Sequence, residues 1–217
     1  MVESVPKKWG KIAAPGYRFL AASALLIFLG WLISSGWLGG LGVLGLAFFG
    51  YFFRDPERDI PREPGIVVAP ADGKVILVDE VQEDRYLKGP VRRVAIFMNV
   101  FDVHVNRAPV AAAVTVAQHR DGCFKAAWSE DACALNEQMA LVLEAKGRQV
   151  LVVQIAGLLA RRIVSYVKPG QPLEQGERLG MICFGSRVDL YLPPEAEILV
   201  KVGDRVKAGS STVAKWE

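Results

Sequence analysis

The stretch "VKPGQPLEQGERLGMI" (167–182) returns in outline as "VKVGDRVKAGSSTVAKW" (200–216), close to the end of the 217-residue chain. Both read Val-x-x-Gly, a few residues, then a second glycine. Glycines at such spacing, set among short apolar runs, predict brief strands joined by tight turns. The surrounding segments keep that character. "GIVVAPADGKVILVDEV" (65–81) reads as strand, Asp-Gly turn, strand, and "RRVAIFMNVFDVHVNRAPV" (92–110) as strand, break, short strand. "QVLVVQIAG" (149–157) and "RRIVSYV" (161–167) predict two more, with helical periodicity only near 129–146. The expected class is mostly β (α+β).

The echoed segments, with the apolar-Pro-Asp-Gly arm at Ala69–Val75, resemble the repeats of biotinyl and lipoyl carriers and of membrane-fusion adaptors. That resemblance implies a β-sandwich or barrel-like domain. Carriers place a modifiable lysine at a Met-Lys or Asp-Lys hairpin tip. Lys74, beside the Asp-Gly pair, is only a faint substitute.

Upstream lies a segment of different chemistry. "FLAASALLIFLGWLISSGWL" (19–38) and "GGLGVLGLAFFGYFF" (39–53) carry no charge, and the first alone is long enough to cross a bilayer. Gly39–Gly40 would let the chain turn, giving a helical hairpin over 19–53. Lys7, Lys8, Lys11 and Arg18 precede it, and Arg54 and Arg58 follow, so the positive-inside tendency places both ends in the cytoplasm. A buried core hairpin is the alternative. Organisation then follows as a basic segment (1–18), the membrane-associating hairpin (19–53), a Pro- and charge-rich linker (54–64) and the β domain (65–217).

The net charge of +3 and the lack of a basic stripe argue against nucleic acid. Cys123, Cys133 and Cys183 are odd in number and form no CxxC, which fits a reducing compartment and no disulfide framework or zinc site. His104 and His119 are too few for a His-rich metal site, and no metal is expected.

Certain polar residues stand out from the β pattern. In "FDVHVNRAP" (101–109), an extended backbone puts Asp102, His104 and Asn106 on one face. A solvated sheet face explains this, and so does a cleft wall with His104 as acid or base. Asp72 reads as a turn aspartate bonding its own backbone. His119, among polar neighbours, reads as a surface or loop residue. Gly185–Ser186 interrupts "MICFGSRVDLYLPP" (181–194), where a strand bulge is the ordinary explanation.

Taken together, "APADGKV" (69–75), "FMNVFDVHVNRAP" (97–109), "QIAGLLARRIV" (154–164) and "FGSRVDLYLP" (184–193) resemble the phosphatidylserine decarboxylase proenzymes, in their short, archaeal-type form, over roughly residues 50–217. The resemblance implies self-cleavage between Gly185 and Ser186. Ser186 Oγ attacks the Gly185 carbonyl, and the amide becomes an ester. β-Elimination then releases chain 1–185, and the residual dehydroalanine hydrolyses to a pyruvoyl group with loss of ammonia. That covalent cofactor, derived from Ser186, would decarboxylate phosphatidylserine to phosphatidylethanolamine. Asp72 matches an aspartate that assists the cleavage. His104 matches the first of two histidines set three residues apart in longer forms, where Arg107 holds the second position here. The implied catalytic set is Ser186, His104 and Asp72, with Gly185 and Ser186 at the processing site. Implied partners are phosphatidylserine in the bilayer and the two cleaved chains, 1–185 with 186–217, at the cytoplasmic side of the cell (inner) membrane; a homo-oligomer is left open. Two rival readings share the pattern: a non-enzymatic, membrane-tethered β-sandwich adaptor, and a pyruvoyl decarboxylase of a related amine.

An intact-mass spectrum of denatured protein separates the pyruvoyl readings from the adaptor, and the substrate is then tested by itself. The expected result is a species made of residues 186–217 whose N-terminus is a ketone trapped by a carbonyl-reactive amine. An adaptor gives one unbroken chain of 23.7 kDa.

Overall fold

The computed structural model describes residues 11–123, 136–157, 163–183 and 186–216. Two units divide it, with the boundary between Glu57 and Arg58.

The N-terminal unit is a helical hairpin. A 3-10 turn, Ala14–Gly16, leads into α1 (Tyr17–Leu32), and α2 (Gly36–Phe52) returns. At about 1.5 Å per residue each helix is about 25 Å long. The reversal is not at Gly39–Gly40, as expected, but at Ile33–Ser35, where Ser34 takes φ 51°. Close packing falls to other glycines: a Cβ on Gly30 would lie 2.4 Å from Gly39 N and one on Gly42 2.7 Å from Ile27 N, whereas one on Gly39 or Gly40 would meet nothing within 4 Å. Small residues thus let the two backbones touch. Phe19 stacks on Phe49 and Phe53, with centroids 4.9 and 5.2 Å apart. The outer surfaces are apolar, with Trp31, Leu32, Ile33, Trp37 and Leu44 exposed. The stretch Ala14–Leu32 is long and apolar enough to cross a membrane by length and composition.

The second unit is mostly β. Its strands are β1 (Ile66–Val68), β2 (Gly73–Glu83), β3 (Gly89–Met98), β4 (Val105–Arg107), β5 (Ala112–Arg120), β6 (Gln138–Ala145) and β7 (Arg148–Ile155). They continue as β8 (Ile163–Ser165), β9 (Pro172–Leu173), β10 (Arg178–Ile182), β11 (Ser186–Leu192), β12 (Glu197–Ile198), β13 (Arg205–Val206) and β14 (Thr212–Lys215). An antiparallel sheet runs in the order β13-β2-β3-β11-β7-β6-β5-β9, beside two three-stranded sheets, β1-β14-β12 and β4-β10-β8. The main core lies on one face of the long sheet and includes Ile96, Leu141, Leu143, Val188 and Leu190.

Two expectations change here. The helical periodicity near 129–146 gives way to strand over Gln138–Ala145; 129–135 lies outside the described residues. Both faces of β6 are buried, with Leu141 and Leu143 in the main core and Ala140 and Val142 in a second cluster, so its apolar run lacks strand alternation. The Asp-Gly pair also closes no hairpin. β1 pairs with β14 and β2 with β3, so Asp72–Gly73 is where the chain leaves one sheet for another.

The echoed repeats are real in the backbone. Gly170 and Gly203 take φ 84° and 102°, and Gly176 and Gly209 take 79° and 76°. Each repeat binds an Ala-Pro arm in the same way. Gly209 N–H donates to Ala69 O at 2.9 Å, and Gly176 N–H to Ala108 O at 2.8 Å. Likewise Gly203 N–H donates to Val75 O and Gly170 N–H to Val114 O, both at 2.8 Å. The arms also exchange bonds, Val68 N–H to Pro109 O and Arg107 N–H to Pro70 O, each 2.9 Å. The domain is therefore built from two similar halves about a pseudo-twofold axis. β13 and β9 occupy opposite edges of the long sheet accordingly.

Gly73 has φ 148°, and a Cβ there would fall 2.1 Å from Phe97 O. Gly73→Ala should cost about 1–3 kcal/mol, lowering the thermal midpoint by about 2–4 °C per kcal/mol for a domain of this size. Thermal unfolding on the Ser186→Ala background measures this apart from self-cleavage.

Candidate active site

β11 runs through the middle of the sheet, with β3 on one side and β7 on the other. All seven of its residues are buried. Arg187, Asp189 and Tyr191 face one way, and Ser186, Val188, Leu190 and Leu192 the other, since strand side chains alternate. On the first face Arg187 Nε and Nη2 donate to Asp189 at 2.5 and 2.8 Å, and Tyr191 Oη lies 3.5 Å from Asp189 Oδ2. This ion pair is almost wholly removed from water, with side chains 4% and 0% exposed.

Ser186 opens the strand, directly opposite Met98 of β3. Gly185 lies outside the described residues. The Ser186 hydroxyl is buried, and among the described residues it has no hydrogen-bond partner. An unsatisfied buried polar group costs about 1–3 kcal/mol, so such an atom calls for a chemical reason.

Polar side chains gather on its face. Directly paired residues share a face, so Gln154, opposite Val188, points the same way as Ser186. Gln154 Nε2 donates to Asn106 Oδ1 at 2.7 Å, and Asn106 Nδ2 lies 3.6 Å from Met98 Sδ. Gln154 Oε1 is a second buried atom with no hydrogen-bond partner among the described residues. His104 and Asn106 are fully buried, which removes the solvated-face reading of 102–106.

His104 is held by a tight turn after β3. Asn99 N–H donates to Asp102 Oδ2 at 2.9 Å and Phe101 N–H to Asn99 Oδ1 at 2.8 Å, the self-bonding that these residues favour in turns. His104 Nδ1 stands 3.0 Å from Asp102 O, which can only accept. Nδ1 therefore carries the proton, and Nε2 of the neutral ring is the basic atom. His104 O accepts from Ile182 N–H at 3.3 Å. Ile182 stands four residues before Ser186, a span of at most about 14 Å.

Asp72 approaches from the other side of β3. Lys74 pairs with Phe97, and Phe97 with Arg187, so Gly73 reaches the level of Ser186 two strand spacings away, about 10 Å. Its carboxylate does not make the expected bond to its own turn. Arg58 Nη2 donates to both oxygens at 2.9 and 2.8 Å, and Ala208 N–H to Oδ1 at 2.8 Å. Arg58, read from the sequence as a cation flanking the hairpin, is thus committed to Asp72. Burial is the largest influence on Asp72 and pushes its pKa up, Arg58 and the Ala208 N–H pull against it, and nearby Asp102 adds to the rise.

A family model for phosphatidylserine decarboxylase matches residues 46–214. The chain belongs to that family. A Symbiobacterium thermophilum protein named phosphatidylserine decarboxylase proenzyme is 47% identical over 206 residues, 94% of this chain and 95% of its own length. Proteins of the same name from Carboxydothermus hydrogenoformans and Desulfotalea psychrophila are 46% and 40% identical, over 92% and 94% of this chain and 94% and 96% of their own lengths.

For a decarboxylase of this family, Asp72 stands just before β2, Ser186 at the start of β11 and His104 between β3 and β4, with β3 lying between the strands that follow Asp72 and Ser186. Arg107, which the resemblance sets at the position of the longer forms' second histidine, is buried; its Nη1 donates to Gly176 O at 3.0 Å within its own half, and its backbone N–H crosses to Pro70 O at 2.9 Å. His119 is on β5 rather than in a loop; it is half exposed and pairs with Glu137 at 3.0 Å. Arg58 and Gln154 were missed by the sequence reading. The repeated Ala-Pro at 69–70 and 108–109 was the one available signal that two arms converge.

Asp189→Ala should destabilise the fold by about 3–5 kcal/mol, because Arg187 then stays buried and charged. Replacing both, Arg187→Met with Asp189→Leu, should cost far less. Thermal unfolding of the two variants checks the ordering.

Proposed function

We propose that this chain converts phosphatidylserine to phosphatidylethanolamine and CO2, using a pyruvoyl group that it makes from Ser186 by cleaving its own Gly185–Ser186 bond. The buried Ser186 hydroxyl, without a hydrogen-bond partner among the described residues, carries the reading. The pyruvoyl group fits that position. The serine Cβ becomes a methyl on a face shared with Met98 and Val188, and the unsatisfied hydroxyl disappears.

His104 Nε2 takes the Ser186 hydroxyl proton as Oγ bonds to the Gly185 carbonyl carbon, then gives it to the Ser186 nitrogen as the Gly185–Ser186 C–N bond breaks and an ester is left. Asp72, held by Arg58 and the Ala208 N–H, assists the cleavage from the other side of β3. Loss of the Ser186 Cα proton then expels the Gly185 carboxylate, and one water converts the residue left to the ketone, with ammonia released. The pyruvoyl carbonyl supplies the electron sink for the pair that CO2 leaves behind. His104 Nε2 holds the proton that the decarboxylated carbon requires. Asn106 and Gln154 fix the polar floor, and the burial of this face excludes bulk water.

The apolar hairpin supports the membrane part of the reading, since the acyl chains of the substrate stay in the bilayer. Lys11, Arg18 and Arg54 flank it and favour both ends at the cytoplasmic side of the membrane. The chains 1–185 and 186–217 stay together after the cut.

Ser186→Ala should remain a single chain and release no CO2 from phosphatidylserine vesicles. His104→Ala should slow self-cleavage by about 10²–10⁴-fold, the range for loss of a general base. Trapped CO2 and denaturing gels measure both, and CO2 release by Ser186→Ala overturns the mechanism.

A further inference from the structure

Asp72 and Arg58 form a pair that local structure does not require. Their side chains are 12% and 10% exposed. Arg58 Nε is buried with no hydrogen-bond partner among the described residues, so the guanidinium is taken from water for Asp72 with its own bonding incomplete. An apolar pair of similar size would stabilise a fold at least as well, which makes a buried ion pair weak evidence for a purely structural purpose. Arg58 reaches Asp72 from the linker that begins after α2, whereas the Ala208 N–H comes from the turn between β13 and β14.

We propose that Arg58 is a positioning residue of the self-cleavage: its Nη2 grips both oxygens of Asp72 and keeps that carboxylate charged and oriented while the Gly185–Ser186 bond breaks. The proposal rests on the reading of Asp72 and Ser186 given above.

The charges around Asp72 can be named. Arg58 is in contact with it. Asp102, after β3, repels it, and is itself bonded to Arg205 of β13 at 3.2 Å. Arg107 of β4 packs with Arg58 against Gly209, but its Nη1 is given to Gly176 O. Lys74 of β2 and Lys207, beside Ala208, are exposed to solvent. Among the described residues, Arg58 is the cation that meets the carboxylate directly.

The sign follows from these neighbours. Burial and Asp102 favour the neutral carboxyl, whereas Arg58 and the Ala208 N–H favour the anion. Without Arg58, Asp72 stays protonated up to a higher pH. Self-cleavage then loses its active form on the acid side, and the acid limb of its rate profile moves upward.

The experiment follows disappearance of the full chain and appearance of 186–217 in the whole protein, from roughly pH 5 to 9. Arg58→Gln should cleave about tenfold more slowly near neutral pH, with its acid limb at least about one unit higher, since each unit of pKa is a tenfold change in the ionised fraction. Arg58→Lys should fall between, because ammonium restores charge without the planar donor set. Guanidinium ion at a few millimolar should restore part of the rate of Arg58→Ala. A profile for Arg58→Gln that overlies the unaltered chain overturns the proposal. So does an equal loss at every pH with no response to guanidinium, the signature of packing alone. Asp72→Asn separates the two layers: normal cleavage in that variant removes the reading of Asp72 itself, whereas blocked cleavage with an unshifted Arg58→Gln removes only Arg58. If Arg58→Gln does not fold, Arg58→Lys and the guanidinium response decide.

Discussion

The structure depends on β11 being held from both sides. Each of its residues is buried, with β3 pairing along the whole strand and β7 along most of it. A central strand cannot slip by one residue without turning its charged Arg187 and Asp189 into the main core. The register of Ser186 is thereby set by six residues that follow it. This also accounts for survival of the fold once the chain is cut ahead of Ser186. Of the strands downstream, β13 pairs with β2 and β14 with β1, so the short chain is woven into the long one at several places. Val188, Leu190, Val213 and Trp216 add its share of the core.

Burial shapes the chemistry on both faces of that strand. On one, Arg187 and Asp189 neutralise each other and leave a rigid floor. On the other, a hydroxyl and an amide oxygen are removed from water with no hydrogen-bond partner among the described residues, and a histidine is fixed with its Nδ1 on the Asp102 carbonyl. Low local polarity strengthens electrostatic interactions in such a place, so one carboxylate at Asp72 has a larger effect than it would in solvent. The arrangement is costly to stability, which the large shared core of the two halves offsets.

Much of this was legible in the sequence because it is local. Glycines at positive φ and apolar runs mark strand ends wherever they occur, and the echo of 167–182 in 200–216 reflects identical turns. Pairing was not legible, since β1 meets β14 across most of the chain. β6 escaped because a strand buried on both faces has no alternation to read. Asp72 looked like a turn residue because its partners, Arg58 and Ala208, lie far from it in sequence; nothing in "ADG" announces them. Gly39–Gly40 looked like a turn because glycine permits chain reversal, yet both lie inside α2, where a Cβ on either would meet nothing. His104 was visible as an oddity, but its burial and its proton position required the Asn99–Asp102 turn.

The pseudo-twofold axis carries a consequence about ancestry. Two arms and two repeats that bind each other by the same bonds are what results when a half-length chain forms a symmetric pair and its gene is then duplicated and joined. Within such a pair, any acid or base would have appeared twice. The joined chain is free of that restriction, and its halves have diverged: Asp72 follows one Ala-Pro arm where Ala111 follows the other, and His104 precedes one arm where Gly65 precedes the other. A carboxylate from one half and an imidazole from the other is a combination that no perfectly symmetric ancestor could have offered just once.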